Sequence, residues 1–471
     1  MRRIVTFKAV LLAGTALALG IVGEAPAQTI DDALATAYRT NPSLAAERAR
    51  LRALDEGVPR ALSGWRPTVT LTGSTGKARD TNRQDDTMPP HRTTTVDRLR
   101  SPDNATLTLT QPLYRGGRTL ADTSRAEHLV QRGRAVLQGA EQTVLLDAAT
   151  AYANLLRDQA TLDLNINNEQ VLTRQLQAAR DRFQVGEITR TDVSQAEARL
   201  ERARADRIQA EGNLTSSRST YERVIGEVPP PRLASARLPP NLPRSENEAR
   251  EATANHPDVV ASSFQERAAK DDVDLVTGEK LPTVNLNGNL IRDTEASTRG
   301  FQRDTASVTV SVSVPLYQAG QTDARVREAK QVAGQRRLEL DDQKRRTQES
   351  ARRNWEALNT ARARIQAFAA QIRAAEIALD GVEQEARVGL RTVLDVLDAE
   401  QELFNAKVNL VGAQRDEIVG SYQLSSSVGR LSAAELGLPV EVYDPTRYYN
   451  ETRERWTGTD PVDSDRPAAG R

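Results

Sequence analysis

The chain has 471 residues, with 64 Lys or Arg balanced by 64 Asp or Glu, so it carries no net charge and nothing in it asks for a nucleic-acid partner. It has no cysteine, which excludes disulfides, thiolate metal sites, thiol catalysis and a lipid-modified N-terminal cysteine. Its three histidines (His91, His128, His256) are too scattered to make a ligand pair. Apolar residues are 38% and aromatics 4% of the chain, too lean for several compact cores and suited to a long, alanine-rich helical assembly.

Residues 1–27 read as a secretory signal peptide. Arg2, Arg3 and Lys8 precede an apolar run over 9–22, and Ala25-Pro26-Ala27 supplies small residues for cleavage. The mature chain is therefore expected outside the cytoplasm, and no later stretch has the apolar length of a transmembrane helix. Residues 29–62 predict helix with a break at Asn41-Pro42, since proline lacks an N–H and crowds the preceding turn.

From Pro67 the period changes to two. Val69 and Leu71 alternate with Thr68, Thr70 and Thr72, and the alternation returns in Thr106-Leu107-Thr108-Leu109-Thr110, where Pro112 is expected to end the strand. Residues 76–102 between them, polar and containing Asp85-Asp86 and Pro89-Pro90, are expected to form an exposed loop. No proline interrupts residues 120–183, which predict a helix roughly 95 Å long. It reverses at Gly186.

Residues 228–247, with six prolines, read as a linker. The plan then repeats. Val284, Leu286 and Leu290 alternate with Thr283, Asn285, Asn287 and Asn289; Val308, Val310, Val312 and Val314 alternate with Ser307, Thr309, Ser311 and Ser313. Residues 322–386 form a second long helix in coiled-coil register: Leu358, Ile365, Ile372 and Leu379 recur every seven residues, with Ala361, Phe368, Ala375 and Val382 three further on. After Gly389 the pattern resumes in Val396, Leu403 and Leu410. Residues beyond about 431 become irregular, and 461–471 are expected to be disordered.

Pro112 and Pro315 lie 203 residues apart, as do Gly186 and Gly389, so each half is one unit that completes its core against the other. The expected organisation is a first repeat over 28–227 (hairpin 67–111, tip near 186), the linker 228–247, a second repeat over 248–428 (hairpin 282–314, tip near 389) and a tail over 429–471. Four strands with small polar residues on one face and aliphatics on the other suit a barrel wall between lipid and water, while an ordinary half-buried sheet shows the same alternation. Four cannot close a pore, so oligomerisation is expected.

Strand hairpins alternating with very long helical hairpins behind a signal peptide resemble the TolC family of outer-membrane channels over nearly the whole mature chain. The most specific stretch is Val388-Gly389-Leu390-Arg391-Thr392-Val393-Leu394-Asp395-Val396-Leu397-Asp398-Ala399, and Arg182-Phe183-Gln184-Val185-Gly186 with Thr191-Asp192-Val193 looks like its first-half partner. The tail from Gly429 to Leu438, then Tyr443-Asp444-Pro445, is similar to members that export proteins with an ABC transporter. The resemblance implies an all-α fold with a β-barrel segment: a homotrimer with one twelve-stranded barrel in the outer membrane, continuous with a tunnel of coiled coils across the periplasm. It also implies a periplasmic adaptor, an inner-membrane ABC or other transporter, and an exported protein or small-molecule cargo, with type I secretion favoured over drug efflux.

Asp395 and Asp398, three apart after the reversal turn, would put six carboxylates around the axis of a trimer as a cation-attracting pore constriction. Arg391 and Asp192 match the family's gate network, whose tyrosine is replaced here by Ala386. Pro112 with Gly117, and Pro315 with Gly320, are expected to turn strand into helix, and Gly186 and Gly389 to turn helix into helix. No triad, phosphate loop or carboxylate pair on a cleft is visible, so no enzyme, cofactor or metal is expected. The alternative is a periplasmic adaptor or scaffold with long helical hairpins; adaptors carry one hairpin flanked by compact β domains, whereas this one is doubled.

Overall fold

The computed structural model describes residues 28–85, 87–91 and 93–461. The expected signal peptide and, apart from Pro461, the expected disordered end lie outside the described residues. Thr29 and Asp32 form a capping box that opens α1 (Ile30–Thr40). Asn41 then caps α2 (Pro42–Asp55), with Pro42 in the first helical position, where a missing N–H costs nothing. A further break at Glu56 separates α3 (Gly57–Leu62).

Four strands make the main sheet, in the order β1 (Thr68–Thr75), β4 (Asp103–Arg115), β5 (Thr283–Thr294), β6 (Gln302–Ser313), all antiparallel. The segment 76–102 corrects the expectation of a loop. It holds β2 (Ala78–Asp85) and β3 (Thr93–Arg100), paired in register with the strands below, since Thr75 faces Asp103 and Ala78 faces Arg100. Gly76-Lys77 and Ser101-Pro102 interrupt one long hairpin, the proline having no donor for the ladder. Alternating aliphatics are absent here because cross-strand ion pairs replace them: Arg100 reaches Asp80 at 2.6 Å, and Arg79 holds Asp97.

Pro112 is a second correction. It does not end β4; the strand runs on to Arg115 through a register shift between Pro112 and Tyr114, where a bulge accommodates the residue without a donor. In the second repeat β6 stops at Ser313 and Pro315 lies beyond it.

Two 67-residue helices, α4 (Arg118–Gln184) and α8 (Gln321–Arg387), each extend about 100 Å and return as α5 (Arg190–Ile225) and α9 (Val393–Ser427). Along α8 the seam residues Leu358, Ala361, Ile365, Phe368, Ile372, Ala375, Leu379 and Val382 are all buried or half-buried, as the heptad requires. The helices α6 (Glu246–Ala252) and α7 (Pro257–Thr277) precede β5, and α7 packs against both α4 and α8.

The largest core lies midway, where Ile30, Leu34, Leu145, Tyr152, Tyr221, Ile225 and Tyr422 pack with Leu431, Ala433 and Leu438. Buried tyrosines hold the linker there: the Tyr152 hydroxyl lies 2.7 Å from the Ala234 carbonyl, and Tyr422 donates to the Arg237 carbonyl at 3.1 Å. The tail, expected to be irregular, contains two short helices, α10 (Ala433–Leu436) and α11 (Arg447–Thr452). Arg48 sits between the rings of Tyr38 and Tyr443, 4.7 and 5.1 Å from their centres.

Candidate functional site: a two-faced wall and two hairpin tips

In an antiparallel pair, residues directly opposite share a face. The register therefore lays apolar rows across the whole sheet: Leu71, Leu107, Leu290 and Ala306, then Val69, Leu109, Gly288 and Val308. Polar rows alternate with them: Thr70, Thr108, Asn289 and Ser307, then Thr68, Thr110, Asn287 and Thr309. Val69, Leu71, Leu290, Val308, Val310 and Val312 all stand exposed, so among the described residues nothing covers them on the apolar face. Among the described residues no helix is long and apolar enough to cross a membrane.

Strand becomes helix at two matching turns. Gly117 and Gly320 start α4 and α8 in the left-handed region, with φ of +74° and +78°. Gly116 precedes the first, but its counterpart Ala319 holds φ +52° as a non-glycine residue. Glycine is required at 116 because a Cβ there would run into the Gly278 carbonyl and lie 2.9 Å from Leu281 Cβ.

Both tips are built alike. In the first, Gly186 at φ +82° donates to the Phe183 carbonyl at 3.0 Å and Glu187 to Arg182 at 3.0 Å. In the second, Gly389 at φ +79° donates to Ala386 at 3.2 Å and Leu390 to Glu385 at 2.9 Å. Each is a Schellman ending, in which a left-handed residue lets two N–H groups satisfy the last carbonyls. The next helix then opens on a capping box: Asp192 with Thr189, and Asp395 with Thr392. Thr392 donates its backbone N–H to Asp395 Oδ2 at 2.9 Å, and these hydrogen bonds hold the Asp395 carboxyl below the usual carboxylate range.

The structure does not bring Arg391 to Asp192 within one chain. Arg391 donates to Glu385 across its own turn at 2.8 Å, a hydrogen bond that keeps the guanidinium firmly charged. Asp398 is reached by Arg199 of α5 at 2.6 Å, and Gln175 of α4 donates to Glu400 of α9 at 3.0 Å. Glu400 is buried and its other oxygen has no hydrogen-bond partner among the described residues, and burial pushes its carboxyl up. Leu397 and Val393 of the second tip pack into the core of the first, beside Leu172, Leu176 and Leu200. Arg199, Gln175, Glu385 and Glu400 were not singled out in the sequence. Glu385 stands six before Arg391 across a turn, a readable spacing; the others meet across hairpins and leave no sequence signal.

Among the described residues no three His, Asp or Glu side chains gather as a metal site would need. At the tips Asp192 and Asp395 close capping boxes, and Glu385 and Asp398 are held in ion pairs with Arg391 and Arg199. What this arrangement offers is a two-faced wall and two charged hairpin tips.

Comparisons with known proteins agree. The family model described as outer membrane efflux protein matches residues 33–227 and 249–430. The outer membrane efflux protein BepC of Brucella suis is 36% identical over 453 residues, covering 96% of this chain and 95% of BepC. The proteases secretion protein PrtF of Dickeya chrysanthemi is 28% identical over 430 residues, covering 88% and 91%. The solved outer membrane protein VceC of Vibrio cholerae superposes with a TM-score of 0.73 at 20% identity, over 85% of this chain and 96% of that one, and so shows the fold. The chain belongs to the outer membrane efflux protein family, the TolC-like channels that sit in the outer membrane and extend into the periplasm.

Proposed function

We propose that this chain is one third of an export duct. Three copies join their sheets into a twelve-stranded barrel, and the hairpins α4–α5 and α8–α9 continue it as a tunnel, with the repeats 28–227 and 248–428 alternating around the ring. The observation that carries this reading is a sheet with one apolar and one hydroxyl- and amide-lined face that stops at two edges, β1 and β6. Within a bilayer no water bonds the N–H and C=O groups of such edges. Pairing β6 of one copy with β1 of the next satisfies both. The chain lacks cysteine, so Leu71→Cys with Val310→Cys tests this directly: a bifunctional thiol reagent applied to membranes yields covalent trimers, and recovery of monomers alone would reject the ring.

At the mouth, Asp395 and Asp398 of three copies form the cation-attracting constriction, and Arg391 meets Asp192 between neighbouring tips. Val185, Val388 and Leu390 stand exposed at the tips and give an adaptor apolar footing for coupling to an inner-membrane transporter. The cargo reading favoured here is protein, by type I secretion. It is supported by the tail resemblance and by likeness to a protein named for protease secretion. Small-molecule efflux is the second reading, favoured by the higher identity to BepC. A deletion strain distinguishes them. Loss of secreted proteins supports the first and heightened drug sensitivity alone supports the second, whereas neither change removes both.

A further inference from the structure

The tail does not stop at the midway core. Tyr448 of α11 donates to Glu56 at 2.8 Å, and Arg453 reaches Glu127 of α4 at 3.0 Å. The chain then meets Arg66, two residues before β1 begins. Arg66 donates to the Arg455 carbonyl at 2.8 Å and lays its guanidinium 4.8 Å from the centre of the Trp456 ring. Arg455 folds back to carbonyls of Thr457 and Asp460 at 3.2 and 2.7 Å, which fixes the segment in place. Yet the Trp456 side chain is left 66% exposed, and none of residues 453–461 joins a buried apolar cluster.

The same level of the molecule carries other exposed aromatics. Trp65 precedes β1, Tyr114 lies opposite Val284 on the apolar face, and Tyr317 follows β6 at 86% exposure. Gln111, also on that face, donates to the Trp65 carbonyl at 2.8 Å. Tryptophan and tyrosine favour the boundary between hydrocarbon and water, where the ring is buried and its N–H or O–H stays wet. An indole clamped by Arg66 at the foot of an apolar sheet face, and otherwise left open to solvent among the described residues, suits that boundary.

We infer that residues 453–460 are a strap that lays Trp456 into the phospholipid headgroup layer at the inner surface of the outer membrane. The inference rests on the reading of β1, β4, β5 and β6 as the barrel wall. The chain has three tryptophans, Trp65, Trp355 and Trp456, so single-tryptophan variants of the full chain are accessible. Each is reconstituted into vesicles of phosphatidylethanolamine and phosphatidylglycerol carrying bromine near the headgroup or deep in the chains. With W65F and W355F together, Trp456 fluorescence is expected to be quenched by the shallow bromines and shielded from acrylamide. Trp355, half-buried in the core beside Leu358, serves as the variant that no lipid reaches.

Trp65 alone reports the wall. Quenching of Trp65 without quenching of Trp456 would overturn the strap and leave the barrel standing, whereas quenching of neither overturns both. Should the double variant fold poorly, Trp456→Ala in the otherwise native chain gives an independent reading. It is expected to open Arg453 and Arg455 to trypsin in intact vesicles, and unchanged protection would overturn the strap.

Discussion

Arg199 on α5 and Asp398 on α9 join the two hairpins just behind the tips, 2.6 Å apart and in contact with solvent. Such pairs contribute typically under about 1 kcal/mol, weak enough for a docking partner to break. Arg199→Ala is expected to raise the open probability of single channels with little change in melting temperature, and high salt is expected to erase the difference from the wild type. Identical gating at low salt would remove the pair from the lock.

Different outcomes are expected for the two aspartates of the second tip. Asp398→Ala is expected to weaken block by multivalent cations with little loss of stability, because Asp398 caps nothing and its pair with Arg199 is solvent-exposed. Asp395→Ala is expected to weaken block and also to lower the melting temperature, because it removes the box with Thr392. Current recordings with added hexaamminecobalt, beside thermal melts of the same samples, check both. Full block in the double variant would place the constriction elsewhere.

Asp55 is 1% exposed at the end of α2, and neither carboxylate oxygen has a hydrogen-bond partner among the described residues. Burial raises its pKa from 3.8 to about 7 despite the Arg134 charge nearby. Because the folded value lies above the unfolded one, ionisation destabilises the fold increasingly as pH rises from about 4 to about 7. Asp55→Asn is therefore expected to stabilise the protein at pH 8, by no more than about 4 kcal/mol, and to lose that advantage near pH 4. Denaturant melts at the two pH values decide it; an equal effect at both would rule out titration of Asp55.

Gly116 and Ala319 occupy matching turns under opposite constraints. Gly116→Ala is expected to be strongly destabilising, since its Cβ meets the Gly278 backbone and its φ is +64°. Ala319→Gly removes left-handed strain of roughly 1 kcal/mol and is expected to raise the melting temperature slightly. A lower melting temperature for the latter would mean that the alanine methyl makes a contact worth more than the strain.

Much of this architecture is legible in particular residues. The change of period at Pro67, the proline-free runs and the heptad through Leu358 and Leu379 each report a local rule, and local rules survive in sequence. The hairpin of β2 and β3 was not legible, because Arg79 with Asp97 and Arg100 with Asp80 do by charge what aliphatic alternation does elsewhere. Pro112 misled for a related reason: a bulge, set by the partner strand, absorbs the missing donor.

At the tips, Thr392-Val393-Leu394-Asp395 spells its capping box in the chain itself. By itself, then, the sequence determined the duplicated plan, the type and length of its long elements, and the turns where they reverse, since these depend on neighbours a few residues away. Which side chain meets Asp398, what leaves Asp55 buried without a partner, and why Trp456 lies beside Arg66 were decided only by the tertiary structure. Those relations join residues far apart in sequence, and packing selects them without any spacing to record the choice.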